Sequence, residues 1–73
     1  MKDKNRLIVE YIAREWVDKA ESQNYFATEH NIDEKTVRRI KNDKDYQISL
    51  ITLMKICEAR EIKLFEFFKS LGI

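Results

Sequence analysis

The chain has 73 residues, enough for one domain spanning residues 1–73 and no more. A domain of this size buries only roughly 60% of the surface its unfolded chain exposes, so a partner subunit is expected. The composition, 44% hydrophobic and 37% charged with a net charge of +1, excludes a disordered chain and by itself names no partner.

Proline is absent and the one glycine is Gly72, which leaves few positive-φ turns for a sheet protein. The expected fold class is therefore all-α, with five helices. One cysteine, Cys57, rules out an internal disulfide; a secreted domain this small would carry several, so the cytoplasm is favoured. No apolar run approaches the ~18 residues of a membrane helix. Residues 1–6 are charged, and Glu10 and Arg14 interrupt any secretory apolar run after them.

In chain order, Leu7, Ile8, Tyr11, Ile12 and Trp16 recur at helical spacing with Ala20 one turn on, which predicts a first helix over residues 3–19. Ser22 reads as the N-cap of a short second helix that buries Phe26 and Ala27 and ends near His30. Asn31 falls where that helix stops. After glycine, asparagine best tolerates the left-handed conformation, so Asn31 is expected at positive φ. Ile32 packs inward. Asp33 is the next N-cap, with Thr36 at the third helical position, and the third helix runs over residues 34–41 with Val37 and Ile40 inward. Asn42 and Asp43 end it. Residues 44–48 form a loop and Ser49 caps a fourth helix. Its inner stripe is Leu50, Leu53, Met54 and Cys57, with Ile56 beside it. Residues 61–63 are a break. Leu64, Phe65, Phe67, Phe68 and Leu71 then make a last helix, apolar nearly all round.

Charge is unevenly placed along this framework. Lys35, Arg38, Arg39, Lys41 and Lys44 stand against Glu34 and Asp43, whereas earlier in the chain Glu10, Glu15, Asp18, Glu21 and Glu29 outnumber Arg14 and Lys19. A concentrated basic segment is either a solvated helix face or the footprint of a nucleic acid. At about 100° per residue, Val37 and Ile40 lie on one side of the third helix and Lys35, Arg38 and Arg39 on the other, with Glu34 at the edge. Cations beside a helix N-terminus suit a phosphate-lined groove.

From Ser22 to Ile40 the chain resembles the lambda-repressor-like (Xre/Cro-type) helix-turn-helix family. That motif runs Ser-Gln, two variable residues, Leu-Ala, three variable, Gly-Val-Ser, three variable, Ile, two variable, Ile. Here it reads Ser22-Gln23-Asn24-Tyr25-Phe26-Ala27, then Asn31-Ile32-Asp33, Val37 and Ile40. The stretches Ile48 to Ala59 and Ile62 to Phe68 are similar to the family's fourth and fifth helices, and the Ile48-Ser49-Leu50 start resembles restriction-modification controller proteins. The likeness covers residues 7–68. Asn31 stands for the usual glycine, Lys41 for a common glutamate, Lys63 for a better cap, and Glu34 for a frequent glutamine at a base-reading position.

The resemblance implies that the third helix enters the major groove of double-stranded DNA. Lys35, Arg39 and Glu34 would read bases, glutamate accepting from cytosine N4. Gln23, Thr36, Arg38, Lys41 and Lys44 complete the expected DNA-binding set. Gln23 is a first-turn residue or, by resemblance, a phosphate contact and a brace for the recognition helix. Tyr46 touches backbone phosphate or packs, alternatives that remain open at this point. A homodimer is expected through Phe65, Phe67, Phe68 and Leu71, with Ile73 beside them. The alternative is that Phe65 and Phe68 pack under the first helix against Leu7 and Tyr11.

Two functions follow. The first is a transcriptional regulator that represses from a two-fold operator; the second is an antitoxin or other protein-interaction module whose partner is a protein such as a toxin. No glycine-rich phosphate loop, cysteine pair or histidine–nucleophile pair is present in the sequence, so neither an enzyme nor a cofactor is expected. Cys57 and Trp16 read as core. His30, the one histidine, reads as a surface residue at a helix end rather than a metal ligand.

Overall fold

A computed structural model describes residues 3–73. Residues 1 and 2, the start of the charged stretch 1–6, lie outside the described residues. The architecture is five helices, with no strand among the described residues.

Helix α1, Lys4–Ile12, starts where the Asp3 carboxylate accepts the Arg6 backbone N–H at 2.8 Å, satisfying one of the free donors at a helix start. The helix does not run straight to residue 19. It passes into a π-turn, Ala13–Val17, closed by Asp18 N–H donating to the Ala13 carbonyl at 2.9 Å. This wider turn absorbs one extra residue and ends the helix two residues early. Val9 is fully buried beside Ile8, Ile12, Trp16 and Val17, while Leu7 is turned out.

Helix α2, Gln23–Glu29, is capped by Ser22, whose hydroxyl accepts from Tyr25 N–H at 3.0 Å. It stops in a Schellman arrangement. Asn31 sits at φ 56°, its N–H donates to the Thr28 carbonyl at 3.4 Å, and Ile32 N–H reaches back to the Ala27 carbonyl at 3.0 Å. Helix α3, Glu34–Asn42, packs on α2 and α1 through Val37 and Ile40, and small Ala27 is buried with them. Asp33 occupies the N-cap position, but its side chain accepts no cap hydrogen bond.

Helix α4, Leu50–Ala59, is capped by Ser49, which accepts from Thr52 N–H at 3.1 Å. Its end repeats the Schellman pattern with Glu61 at φ 57° and Ile62 N–H on the Cys57 carbonyl at 2.9 Å. The buried face is Leu53, Ile56 and Cys57. Leu50 and Met54, expected inside, are 60% and 43% exposed. Apolar residues occupy most of this helix, more sides of it than so small a core can cover, so packing rather than periodicity decides which side turns in.

Helix α5, Leu64–Leu71, buries Phe67 alone, at 2% exposure; Phe65 is 66% exposed, and Phe68 and Leu71 are half-buried. The Phe67 ring meets Tyr11 edge-on at 5.7 Å and Trp16 at 5.2 Å, with Phe68 at 6.1 Å. The expected place of Phe67 on a dimer surface is therefore corrected: it is the aromatic key that locks α5 onto α1. Nor does Phe65 pack under the first helix. His30 is corrected too. It is 7% exposed, stacked on Phe26 at 3.8 Å, with Nδ1–H donating to the Phe26 carbonyl at 2.8 Å. A neutral ring so arranged leaves Nε2 to accept from Arg60 Nη1 at 3.3 Å, and the Arg60 guanidinium lies over Trp16 at 4.4 Å.

Candidate nucleic-acid interface

The α2–α3 pair fixes which side of α3 meets solvent. With Val37 and Ile40 in the core, the opposite face carries Lys35, Arg38, Arg39 and Asn42, which with Asp43 line a shallow groove of about 340 Å³. Asn42 belongs to this face although it reads only as a helix terminator in the sequence. Seven residues after Lys35 it returns to within about 20° of it, a signal the spacing contains. Asparagine can pair with adenine through its two amide functions.

The cations of this segment are not equivalent. Lys41 lies about 120° round the helix from Lys35 and its ammonium pairs with the Asp18 carboxylate at 2.7 Å, tying α3 to the end of the π-turn. Arg38 Nη1 lies 3.7 Å from Glu34 Oε1 one turn back. That pairing places Glu34 beside the basic face and partly offsets its repulsion of phosphate. Arg39 donates through Nε to Asp43 Oδ2 at 3.4 Å and lies over the Tyr46 ring at 5.0 Å. Lys35 and Lys44 are exposed and make no ion pair among the described residues. All these pairs are at least partly solvated, and such pairs contribute about 0–1 kcal/mol each, so they orient the side chains without withholding them from a phosphate.

The loop after α3 is held from a distance. Asp43 Oδ1 accepts from Asp45 N–H at 2.9 Å, and Tyr46 N–H donates to the Asp43 carbonyl at 3.2 Å. Arg6 of α1 donates to the carbonyls of Tyr46 at 3.0 Å and Asp43 at 3.4 Å. Asn5 brackets Ile48, accepting its N–H at 2.9 Å and donating to its carbonyl at 3.2 Å. Nothing local marks Asn5 and Arg6 as loop anchors, because their partners lie about 40 residues away. Tyr46 is buried and packs with the core, and burial pushes its phenol above the ordinary value, against a smaller pull from Arg39.

Gln23 is half-exposed at the first turn of α2, and its side chain hydrogen-bonds to no other described residue. Thr36 is half-buried in the first turn of α3. Cys57 is buried, and burial pushes its thiol up, away from thiolate reactivity. Among the described residues no helix is long and apolar enough to cross a membrane, and no cluster of three His, Cys, Asp or Glu could hold a metal ion.

Two helices joined by a tight left-handed turn, the second presenting a basic face away from the core, define a helix-turn-helix DNA-binding domain. Residues 18–69 match the Cro/C1-type HTH DNA-binding domain, and the chain belongs to that family. No curated protein and no solved structure matches it.

Proposed function

We propose that the protein is a sequence-specific regulator of transcription that binds a two-fold operator as a homodimer and represses by occupying a promoter. The observation that carries this reading is the unbroken outward face Lys35–Arg38–Arg39–Asn42, set opposite Val37 and Ile40. With α3 in the major groove, Glu34, Lys35 and Arg39 meet base edges, and Gln23, Thr36, Arg38, Lys41 and Lys44 meet backbone phosphates. Phosphate contacts supply affinity and register, and base contacts supply sequence preference. Dimerisation uses Phe65, Phe68 and Leu71, with Ile73 beside them, and a two-fold axis that sets the recognition helices about 34 Å apart.

The test is selection of duplexes from a random pool followed by affinity against salt. The logarithm of the binding constant should fall with a slope of about −0.9 per neutralised phosphate on the log-salt scale. Lys44→Ala should weaken all sequences alike and flatten that slope by about 1. The exposed Leu50, Ile51, Met54 and Phe65 favour a second reading, a module that docks a protein such as a toxin. Absence of duplex binding even at low salt would leave that second reading in place of the first.

A further inference from the structure

Four cations decorate α3, and only one of them is held in a fixed plane with its end free. Arg39 is fixed by two neighbours: Nε donates to Asp43 Oδ2 at 3.4 Å, and the guanidinium lies over the Tyr46 ring, 5.0 Å from its centroid. Neither Nη1 nor Nη2 of Arg39 hydrogen-bonds to another described residue. Both neighbours are fixed in turn. Asp43 is tied by its second oxygen to Asp45 N–H, and Tyr46 is buried with its carbonyl held by Arg6 at 3.0 Å. Arg38, by contrast, directs Nη1 towards Glu34 at 3.7 Å, and Lys41, paired with Asp18 at 2.7 Å, and Lys35 carry point charges with no planar fork.

We infer that Arg39 reads a guanine, and that Asp43 and Tyr46 are positioning residues that fix its guanidinium plane for that contact. The inference rests on the DNA-binding reading above. Two parallel N–H donors on a rigid plane match the O6 and N7 acceptors that guanine alone presents side by side in the major groove. Holding Nε on a carboxylate and one face on an aromatic ring leaves the two-donor end as the part able to approach a base. A side chain ordered before binding loses less rotamer freedom on contact. The Asp43 carboxylate also repels phosphate, so it favours the base contact over backbone contacts and sharpens discrimination at the expense of non-specific affinity.

The experiment uses the full chain on the duplex it selects, with each guanine replaced in turn by 7-deazaguanine, which keeps base pairing and lacks the N7 acceptor. One guanine is expected at which this replacement weakens the wild type at least about fivefold, the lower end of what a bidentate contact discriminates. Arg39→Ala removes both donors and should abolish that penalty. Asp43→Asn and Tyr46→Leu should shrink the penalty at the same guanine without lowering random-duplex affinity; Asp43→Asn should raise it. Tyr46→Phe, which keeps the ring, should retain the penalty. A deazaguanine profile identical in the wild type and Arg39→Ala overturns the guanine assignment. An undiminished penalty in Asp43→Asn and Tyr46→Leu, both shown folded by circular dichroism, overturns the positioning roles. A wild type that binds no duplex, or selects no sequence, overturns the DNA reading and this inference together.

Discussion

Phe65 and Phe67 are two residues apart on one short helix and should behave as opposites. Phe67 is 2% exposed and lies among Tyr11, Trp16 and Phe68, whereas Phe65 is 66% exposed. Truncating a buried phenylalanine costs about 3–5 kcal/mol through lost transfer energy and the cavity left behind. At 0.05–0.15 kcal/mol per residue the whole chain has about 4–11 kcal/mol of stability, so Phe67→Ala should consume about a quarter of it or more. At 4–8 °C per kcal/mol for a domain of this size, the thermal midpoint should fall by about 12–40 °C. Phe65→Ala should change monomer stability by no more than about 0.5 kcal/mol, and Phe65→Glu should raise the dimer dissociation constant read by sedimentation. Thermal unfolding followed by circular dichroism at low micromolar concentration separates the two. A Phe67→Ala midpoint within about 5 °C of the wild type would refute the placement of this ring in the core. A chain that sediments as a monomer at micromolar concentration would refute the dimer.

Two further outcomes follow from backbone and burial. Glu61 holds φ 57° with an exposed side chain; a left-handed non-glycine residue costs about 1–2 kcal/mol, and glycine returns part of that as unfolded-state entropy. Glu61→Gly should therefore raise stability by about 0.5–1 kcal/mol, read as a later urea midpoint, and an earlier midpoint would contradict this account. His30 has its pKa lowered below 6.5, first by burial and then by Arg60, with the Phe26 carbonyl and Glu29 opposing. The unfolded chain thus takes up this proton first as pH falls, so stability is held above about pH 6.5 and declines below it by at most about 1.4 kcal/mol per pH unit. Denaturant titrations between pH 7.5 and 5 should show that decline in the wild type and a flatter profile in His30→Gln; parallel profiles would contradict it.

The parts of the fold legible in the sequence are those set by neighbours within a turn or two. Ser22 and Ser49 cap because a hydroxyl at that position meets an N–H three residues on, and Asn31 turns because few other residues accept φ near 56°. Val37 and Ile40 are inward because α3 is polar everywhere else. Where a helix is apolar on several sides, periodicity loses its power to choose. Leu50 and Met54 were as good candidates for the inside of α4 as Ile56, and Phe65 as good as Phe67 in α5; contacts from α1 made the choice in α5. His30 illustrates the same limit for a polar group. The partner of its Nε2 is Arg60, thirty residues away, which no local pattern reveals. The π-turn at Ala13–Val17 likewise has no signature in a stripe that continues smoothly through it.

The basic segment was legible as a charge cluster but not as a division of labour. Five cations over ten positions on and just beyond one helix cannot all face a groove, because each step along it turns the side chain by about 100°. Geometry separates them by what each one meets. Asp18, at the foot of the π-turn, takes Lys41, so part of the acidic N-terminal half acts as an internal counterpart to the basic half. Glu34 meets Arg38 one turn on. Asp43 and Tyr46, brought up by a loop that Asn5 and Arg6 hold in place, meet Arg39 and leave its fork free. A net charge near zero is thus compatible with a DNA-binding face. The acids that cancel the sum include those that orient the cations, and an oriented cation carries sequence information that a merely abundant one does not.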